Sequence, residues 1–365
     1  MVDRTPPIRR PNRFNRVLLR GPGRRVLGCP LEAPLNVSHV SNQNSVGAAM
    51  AADGPGTSNA TPGDIVELAF RPASGLEDAE AFTRRLAGGH YENFPVVSRL
   101  LPRRFRQDFC NIYSFCRLAD DLADEIGDPV QSLVYLDRFR SAVRDCYAGR
   151  AEAATFVALS STVRRHDIPA EPFLDLIDAF EQDQRVSRYD NHEQLVAYCR
   201  RSADPVGRLV LYICGYRDHE RQRLSDAVCT GLQLTNFWQD VRRDLTDRDR
   251  IYIPRDVMRA AGVTEEHLRA GRADSSYRAM ILALVEQTET YFARGEALLP
   301  LLRREVRGHI ALFTAGGRAI LEAIRRQGGD TLSRRPSLSA WGKSRLVIHA
   351  LAAAAVARLT SGAAR

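Results

Sequence analysis

The chain has 365 residues, 44% hydrophobic and 26% charged, a balance that supports one large or two small folded domains and excludes a wholly disordered or fibrous chain. Its net charge of +8 asks for an anionic partner: nucleic acid, a membrane surface or a phosphorylated substrate. Eight arginines stand against three acids in residues 1–60, so the rest of the chain carries only +3, which speaks against a nucleic-acid binder. Seven cysteines, an odd count with no CxxC, predict reduced, buried thiols in a cytoplasmic protein and argue against zinc. No run reaches the roughly 18 apolar residues of a membrane span.

Residues 1–62 are rich in Arg, Pro, Gly, Asn and Ser and have no apolar period, which predicts a disordered tail or an over-extended start, with Met50 as an alternative start. The acid-poor opening resembles a transit peptide only in composition. From about residue 64 apolar residues recur three and four apart, and the architecture reads all-α. Helices are expected over about 76–87, 107–125, 130–148, 151–166, 171–184, 192–215, 224–246, 277–300, 302–327 and 338–359, within a domain spanning 63–360. The one short extended piece is Ile251–Pro254, and Pro254 bars it from a central strand.

Two helices carry aspartates four apart. In Tyr113-Ser-Phe-Cys-Arg117-Leu-Ala-Asp120-Asp-Leu-Ala-Asp124 the spacing puts Asp120 and Asp124 on one face, continued one and two turns back by Arg117 and Tyr113. In Gln233-Leu-Thr-Asn236-Phe-Trp-Gln-Asp240-Val-Arg-Arg-Asp244 steps of three, four and four line up Gln233, Asn236, Asp240 and Asp244. Paired carboxylates repel, and the first pair also lies at the negative end of its helix. A hard cation relieves both effects. Mg²⁺ is the expected one, because it is usually held by one or two carboxylates together with substrate phosphates. A solvated acidic face is the plainer alternative, weakened by the polar partners that share each stripe.

The segments HYENF (90–94), IYSFCRLADDLAD (112–124), YCRRSADPVGR (198–208) and QLTNFWQDVRRDLTDRDRIYIP (233–254) resemble, in order and spacing, the squalene and phytoene synthase family. The resemblance covers roughly residues 64–345. It implies the family's single-domain, all-α isoprenoid-synthase fold, a helical bundle around a central cavity, and a prenyl diphosphate substrate. By carry-over, Asp120, Asp124, Asp240 and Asp244 match metal-binding aspartates. Tyr113 and Arg117 match diphosphate-side contacts, and Gln233 and Asn236 the polar partners of the second motif.

Family members that join two prenyl diphosphates typically read Tyr-Cys-x-x-Val-Ala-Gly where this chain has Tyr198-Cys-Arg-Arg-Ser202-Ala-Asp204-Pro-Val-Gly207. That form is similar to the family's bacterial hydroxysqualene synthases, which act on presqualene diphosphate. Tyr198, Ser202 and Asp204 are therefore the catalytic candidates, Ser202 and Asp204 for positioning water that quenches a cation. For Asp204 a helix cap before Pro205 is an equal alternative. No GxGxxG follows a strand, so no nicotinamide is expected. His90, Arg250 and Tyr252 are further substrate-region candidates, Arg335 and Lys343 could reach the diphosphate, and Trp238, off the stripe, reads as core. The rival readings are a presqualene diphosphate or phytoene synthase, or an assembly factor reusing the fold. Peripheral contact with the inner face of a membrane and coupling to neighbouring enzymes of a squalene pathway complete the expectations.

Overall fold

A computed structural model describes residues 61–89 and 102–338. The expected tail therefore lies outside the described residues, save for Thr61 and Pro62, and so do His90, Lys343 and the helix expected over 338–359. Thr61 opens the described chain as the cap of α1 (Pro62–Ala69): its hydroxyl accepts from the Asp64 amide, and Asp64 accepts in return from the Thr61 amide at 2.8 Å. Only eight residues long, α1 carries too little apolar period to stand out in the sequence.

Next come α2 (Leu76–Gly89), a single 3₁₀ turn at Arg103–Phe105, α3 (Arg106–Asp124), α4 (Pro129–Tyr147), α5 (Ala154–His166) and α6 (Glu171–Asp183). α3 is buried along almost its whole length, because it is the post around which the N-terminal half packs. Phe115 on α3 meets Phe139 on α4, Phe156 on α5 and Phe173 on α6 with ring centroids 5.2, 6.3 and 4.9 Å away. Fully burying each such ring is worth about 1.5–3 kcal/mol, enough for this cluster to fix α3 against three neighbours.

The second half comprises α7 (His192–Ser202), α8 (Asp204–Ile213), α9 (His219–Gln239), α10 (Val241–Arg248), α11 (Arg255–Ala260), α12 (Glu265–Arg269), α13 (Ser275–Gly295), α14 (Leu298–Leu301) and α15 (Arg304–Arg326). α9 is its centre, packed on α8, α13 and α15. At Gly295 a Cβ would stand 2.4 Å from Val228 Cγ2, so α13 can approach α9 this closely only without a side chain there.

Several predicted boundaries are corrected. The helix expected over 192–215 is two helices, broken at Ala203 (φ −127°, ψ −48°). Pro205 has no amide proton to donate and its ring would collide with the carbonyl of Arg201. The helix expected over 224–246 begins earlier, at His219, and bends at Asp240, where hydrogen bonds from Asp240 to Asn236 and from Asp244 to Asp240, 2.9 Å each, carry the stripe across the bend. That expected over 277–300 stops at Gly295 and resumes as the short α14. Among the described residues there is no strand; Ile251 makes one bridge to Arg188, and no helix is long and apolar enough to cross a membrane.

Candidate active site

The C-terminal end of α3 delivers three carboxylates, of which the sequence reading singled out two. Asp120 is held well above the ordinary carboxylate range, first by burial and then by the neighbouring charge of Asp124. Asp121, the one overlooked, forms a buried ion pair with Arg117 at 2.6 Å, and burial still pushes it up to about 6 against that guanidinium. Arg117 is thus turned toward Asp121, one turn on. Tyr113, a turn earlier, is buried and raised to about 12 by that burial.

The second stripe reaches the same place through its arginines. Asp249 adopts the left-handed conformation (φ 49°), and on either side of it Arg248 and Arg250 both reach Asp124, at 2.9 and 3.2 Å. Residues two apart on a helix diverge by about 200°, so only this turn lets both guanidiniums meet one carboxylate. Asp244 is pushed well above its ordinary range by burial and then by Asp240. Asp240 itself is gripped by Arg335, whose Nη2 donates to Oδ2 at 2.9 Å and whose Nε donates to Oδ1.

This set fits a hard divalent cation. Buried carboxylates with like-charged neighbours, as at Asp120 and Asp244, have a surplus of negative potential that such an ion would cancel. Among the described residues no three His, Cys, Asp or Glu side chains form a cage by themselves, so an ion here would draw further ligands from outside the protein.

Beside the carboxylates stands an aromatic wall. Phe237 and Tyr252 stack with centroids 3.8 Å apart and planes 10° from parallel, Tyr198 lies 6.0 Å from Tyr252, and Tyr189 lies 5.6 Å from Tyr198. All four rings are buried. The Tyr198 hydroxyl donates to Asp183 at 2.7 Å, and Arg250 donates to the Asp183 carbonyl at 3.2 Å. Asp183 is pushed up to about 6 by burial, against the pull of Arg250. Neither Asp183 nor Tyr189 was foreseen: Glu-Gln-Asp-Gln at a helix end reads as a solvated cluster, and no spacing rule connects it to Tyr198.

Ser202 lies one turn from Tyr198 on α7, and its hydroxyl is enclosed with no hydrogen-bond partner among the described residues. Asp204 is 3% exposed and accepts from Thr230 Oγ1 at 2.8 Å. It is the first residue of α8, whose cap is Ala203, and its side chain crosses to α9 without capping anything, which corrects the cap alternative. Burial, then the charge of Asp226, holds Asp204 well above the carboxylate range. Gly207 lets α8 and α9 close over this pair: a Cβ there would meet Ser225 Oγ at 2.4 Å and Cys229 Sγ at 2.5 Å. Gln233 Oε1 and Asn236 Nδ2 are enclosed and without partners among the described residues. Trp238 is core, as expected, donating to Thr288 at 2.8 Å.

A helical bundle that brings two aspartate pairs, an arginine turn and an aromatic wall together is built to handle a diphosphate with an apolar tail. The family model for squalene/phytoene synthase matches residues 87–342. A phytoene synthase of Thermus thermophilus is 35% identical over 78% of this chain and 96% of its own length. A hydroxysqualene synthase of Sinorhizobium fredii is 32% identical over 72% and 88%. The solved squalene synthase HpnC from Alicyclobacillus acidocaldarius is 45% identical, with a TM-score of 0.66 over 69% of this chain and 95% of that one. The chain belongs to the squalene/phytoene synthase family. It is an enzyme that processes isoprenoid diphosphates, a type that generally uses a divalent metal.

Proposed function

We propose that the enzyme is a hydroxysqualene synthase: it ionises presqualene diphosphate, rearranges the cation and captures water, releasing hydroxysqualene, diphosphate and a proton. The observation that carries this reading is a pair of polar groups, the Ser202 hydroxyl one turn from Tyr198 and without a partner among the described residues, and the buried Asp204 carboxyl, where condensing members of the family typically have apolar or absent side chains.

Asp120, Asp124, Asp240 and Asp244 would hold the cation, Mg²⁺ in this reading, which when bound supplies charge neutralisation for the departing diphosphate. Arg248, Arg250 and Arg335, now on Asp124 and Asp240, have guanidiniums suited to phosphate oxygens. Tyr113, Arg117, Gln233 and Asn236 would orient the diphosphate end, and His90 stays a substrate-region candidate. Tyr198, Phe237 and Tyr252 face a developing carbocation with ring quadrupoles and keep bulk water away, each such contact being worth about 0.5–2 kcal/mol. Ser202 is placed to hold one water. With its proton retained, Asp204 can donate to that water's oxygen and fix its orientation. No nicotinamide takes part, since water supplies the group that ends the reaction.

A prenyl diphosphate substrate is consistent with the family. Its product, a long alcohol that is almost wholly apolar, requires a lipid phase, which supports peripheral membrane contact and hand-over from and to neighbouring pathway enzymes. The test is incubation with Mg²⁺ and either presqualene or farnesyl diphosphate, without nicotinamide, followed by lipid analysis. Hydroxysqualene from presqualene diphosphate supports the reading. Presqualene diphosphate or phytoene formed from simpler prenyl diphosphates would assign the chain to the condensing members.

A further inference from the structure

At the end of α3 remote from Asp124, about 27 Å away by helical rise, four chain segments meet. Arg104, in the 3₁₀ turn, pairs with Glu305 at the start of α15, and the Phe105 ring lies 6.5 Å from that of His166 at the end of α5. Arg217 donates to the His166 carbonyl, the Arg303 amide to Tyr216 Oη at 2.6 Å, and Arg221 Nε to the Leu301 carbonyl at 3.0 Å. The guanidiniums of Arg221 and Arg303 flank the Tyr216 ring at 4.8 and 5.2 Å from its centroid. Beneath them lies a small apolar cluster of Leu211, Leu224, Leu298 and Leu302.

This face is strongly basic. It holds three arginines in 103–106, two in 164–165, three in 217–223 and three in 303–307, against Asp108, Asp167, Asp218, Glu220 and Glu305. The chain after residue 60 carries only +3 in all, so the rest of that stretch is net negative. Four of the arginines are matched: Arg165 with the buried Asp108 at 3.0 Å, Arg104 with Glu305, Arg217 with Asp167 and Arg221 with Asp218. Among the described residues Arg103, Arg223 and Arg303 meet no carboxylate within ion-pair distance, and all three are exposed. Arginine in excess of the acids beside it repels itself, and that surplus is better explained by an anionic partner than by the fold.

We propose that this arginine face docks the enzyme on an anionic lipid bilayer. Juxtaposed basic side chains are drawn to anionic headgroups, and Tyr216, an amphipathic ring between two guanidiniums, suits the headgroup layer. The proposal rests on the functional reading in one respect: an almost wholly apolar product needs lipid to receive it, and an enzyme docked on a bilayer can release it there.

The test uses the full chain and sedimentation with phosphatidylglycerol-containing and pure phosphatidylcholine vesicles, without substrate. The patch variant Arg103→Glu/Arg223→Glu is compared with Arg259→Glu/Arg272→Glu, an equal charge change on exposed arginines outside this face. At roughly fivefold per basic side chain, the patch variant should bind anionic vesicles at least about 25-fold more weakly, and the control close to wild type. Turnover in detergent should be unchanged in both. Absence of wild-type binding, an equal loss in the control, equal binding to neutral vesicles, or an equal loss on duplex DNA would each overturn the assignment. Since vesicle binding is read without substrate, a wild-type protein that binds vesicles but does not turn over presqualene diphosphate would refute the functional reading alone.

Discussion

The phenol of Tyr198 donates to Asp183 across 2.7 Å, and the carbonyl of the same aspartate accepts from Arg250, so one residue joins the aromatic wall to the arginine turn. The carboxyl of Asp183 is raised to about 6 by burial, which means that the folded state holds its proton more tightly than the unfolded state. Stability is therefore lost as pH rises from about 4 to about 6, on the order of 3 kcal/mol for this group alone. Asp183→Asn retains an acceptor for Tyr198 and removes the charge. Scanning calorimetry should show its midpoint above that of the parent by several degrees near pH 7, the gap closing near pH 4. A gap independent of pH would contradict the buried charge.

Removing the donor while leaving the ring separates positioning from packing. Tyr198→Phe should lower kcat by about ten- to a hundredfold, since a hydrogen bond to a charged group is worth about 1.5–3 kcal/mol, with KM little changed. In the Asp183→Asn background the same change should have a smaller effect. Full additivity in steady-state kinetics would show that the two residues act apart.

The carboxylates of the site should respond to metal only in company. Because no protein-only cage exists among the described residues and arginines already neutralise Asp124 and Asp240, Mg²⁺ alone should shift the unfolding midpoint little, and Mg²⁺ with inorganic diphosphate several degrees. Asp120→Asn and Asp244→Asn should abolish that joint shift and cut turnover by at least about a hundredfold. A full shift with Mg²⁺ alone would refute the shared-ligand arrangement.

Water capture is tested at Ser202 and Asp204. Ser202→Ala and Asp204→Gly should reduce the alcohol's share of the products in favour of hydrocarbon, read by gas chromatography with mass detection. Asp204→Asn, which keeps an acceptor for Thr230, should raise stability as pH climbs past the ordinary carboxylate range and alter the product ratio least. An alcohol share unchanged in Asp204→Gly would remove that residue from the chemistry.

Gly207→Ala tests the closure of α8 on α9. With a Cβ 2.4–2.5 Å from Ser225 Oγ and Cys229 Sγ, overpacking should cost about 1–3 kcal/mol in chemical denaturation. Adding Cys229→Ala should recover part of that loss.

Much of the fold was legible because the helices of the core repeat apolar residues at helical spacing, and because the aspartates four apart declare a shared face whatever lies opposite. The break at Ala203 was within reach of the sequence, since Pro205 forbids a continuous helix; the apolar period on both sides hid it. α1, α11 and α12 are too short for a period to show. Asp121 was masked by its neighbours, although Arg117 four residues earlier announces the pair. Asp183 was out of reach, as its meaning depends on Tyr198 from another helix and Arg250 from a distant turn.

The left-handed turn at Asp249 acts as a register pin. The two guanidiniums converge on Asp124 because the chain reverses its winding at a single residue, so one residue inserted or deleted between Arg248 and Arg250 would swing one of them about 100° away. Length at this turn is therefore as tightly specified as any aspartate, and a frame-preserving indel there should silence the enzyme while leaving every carboxylate in place.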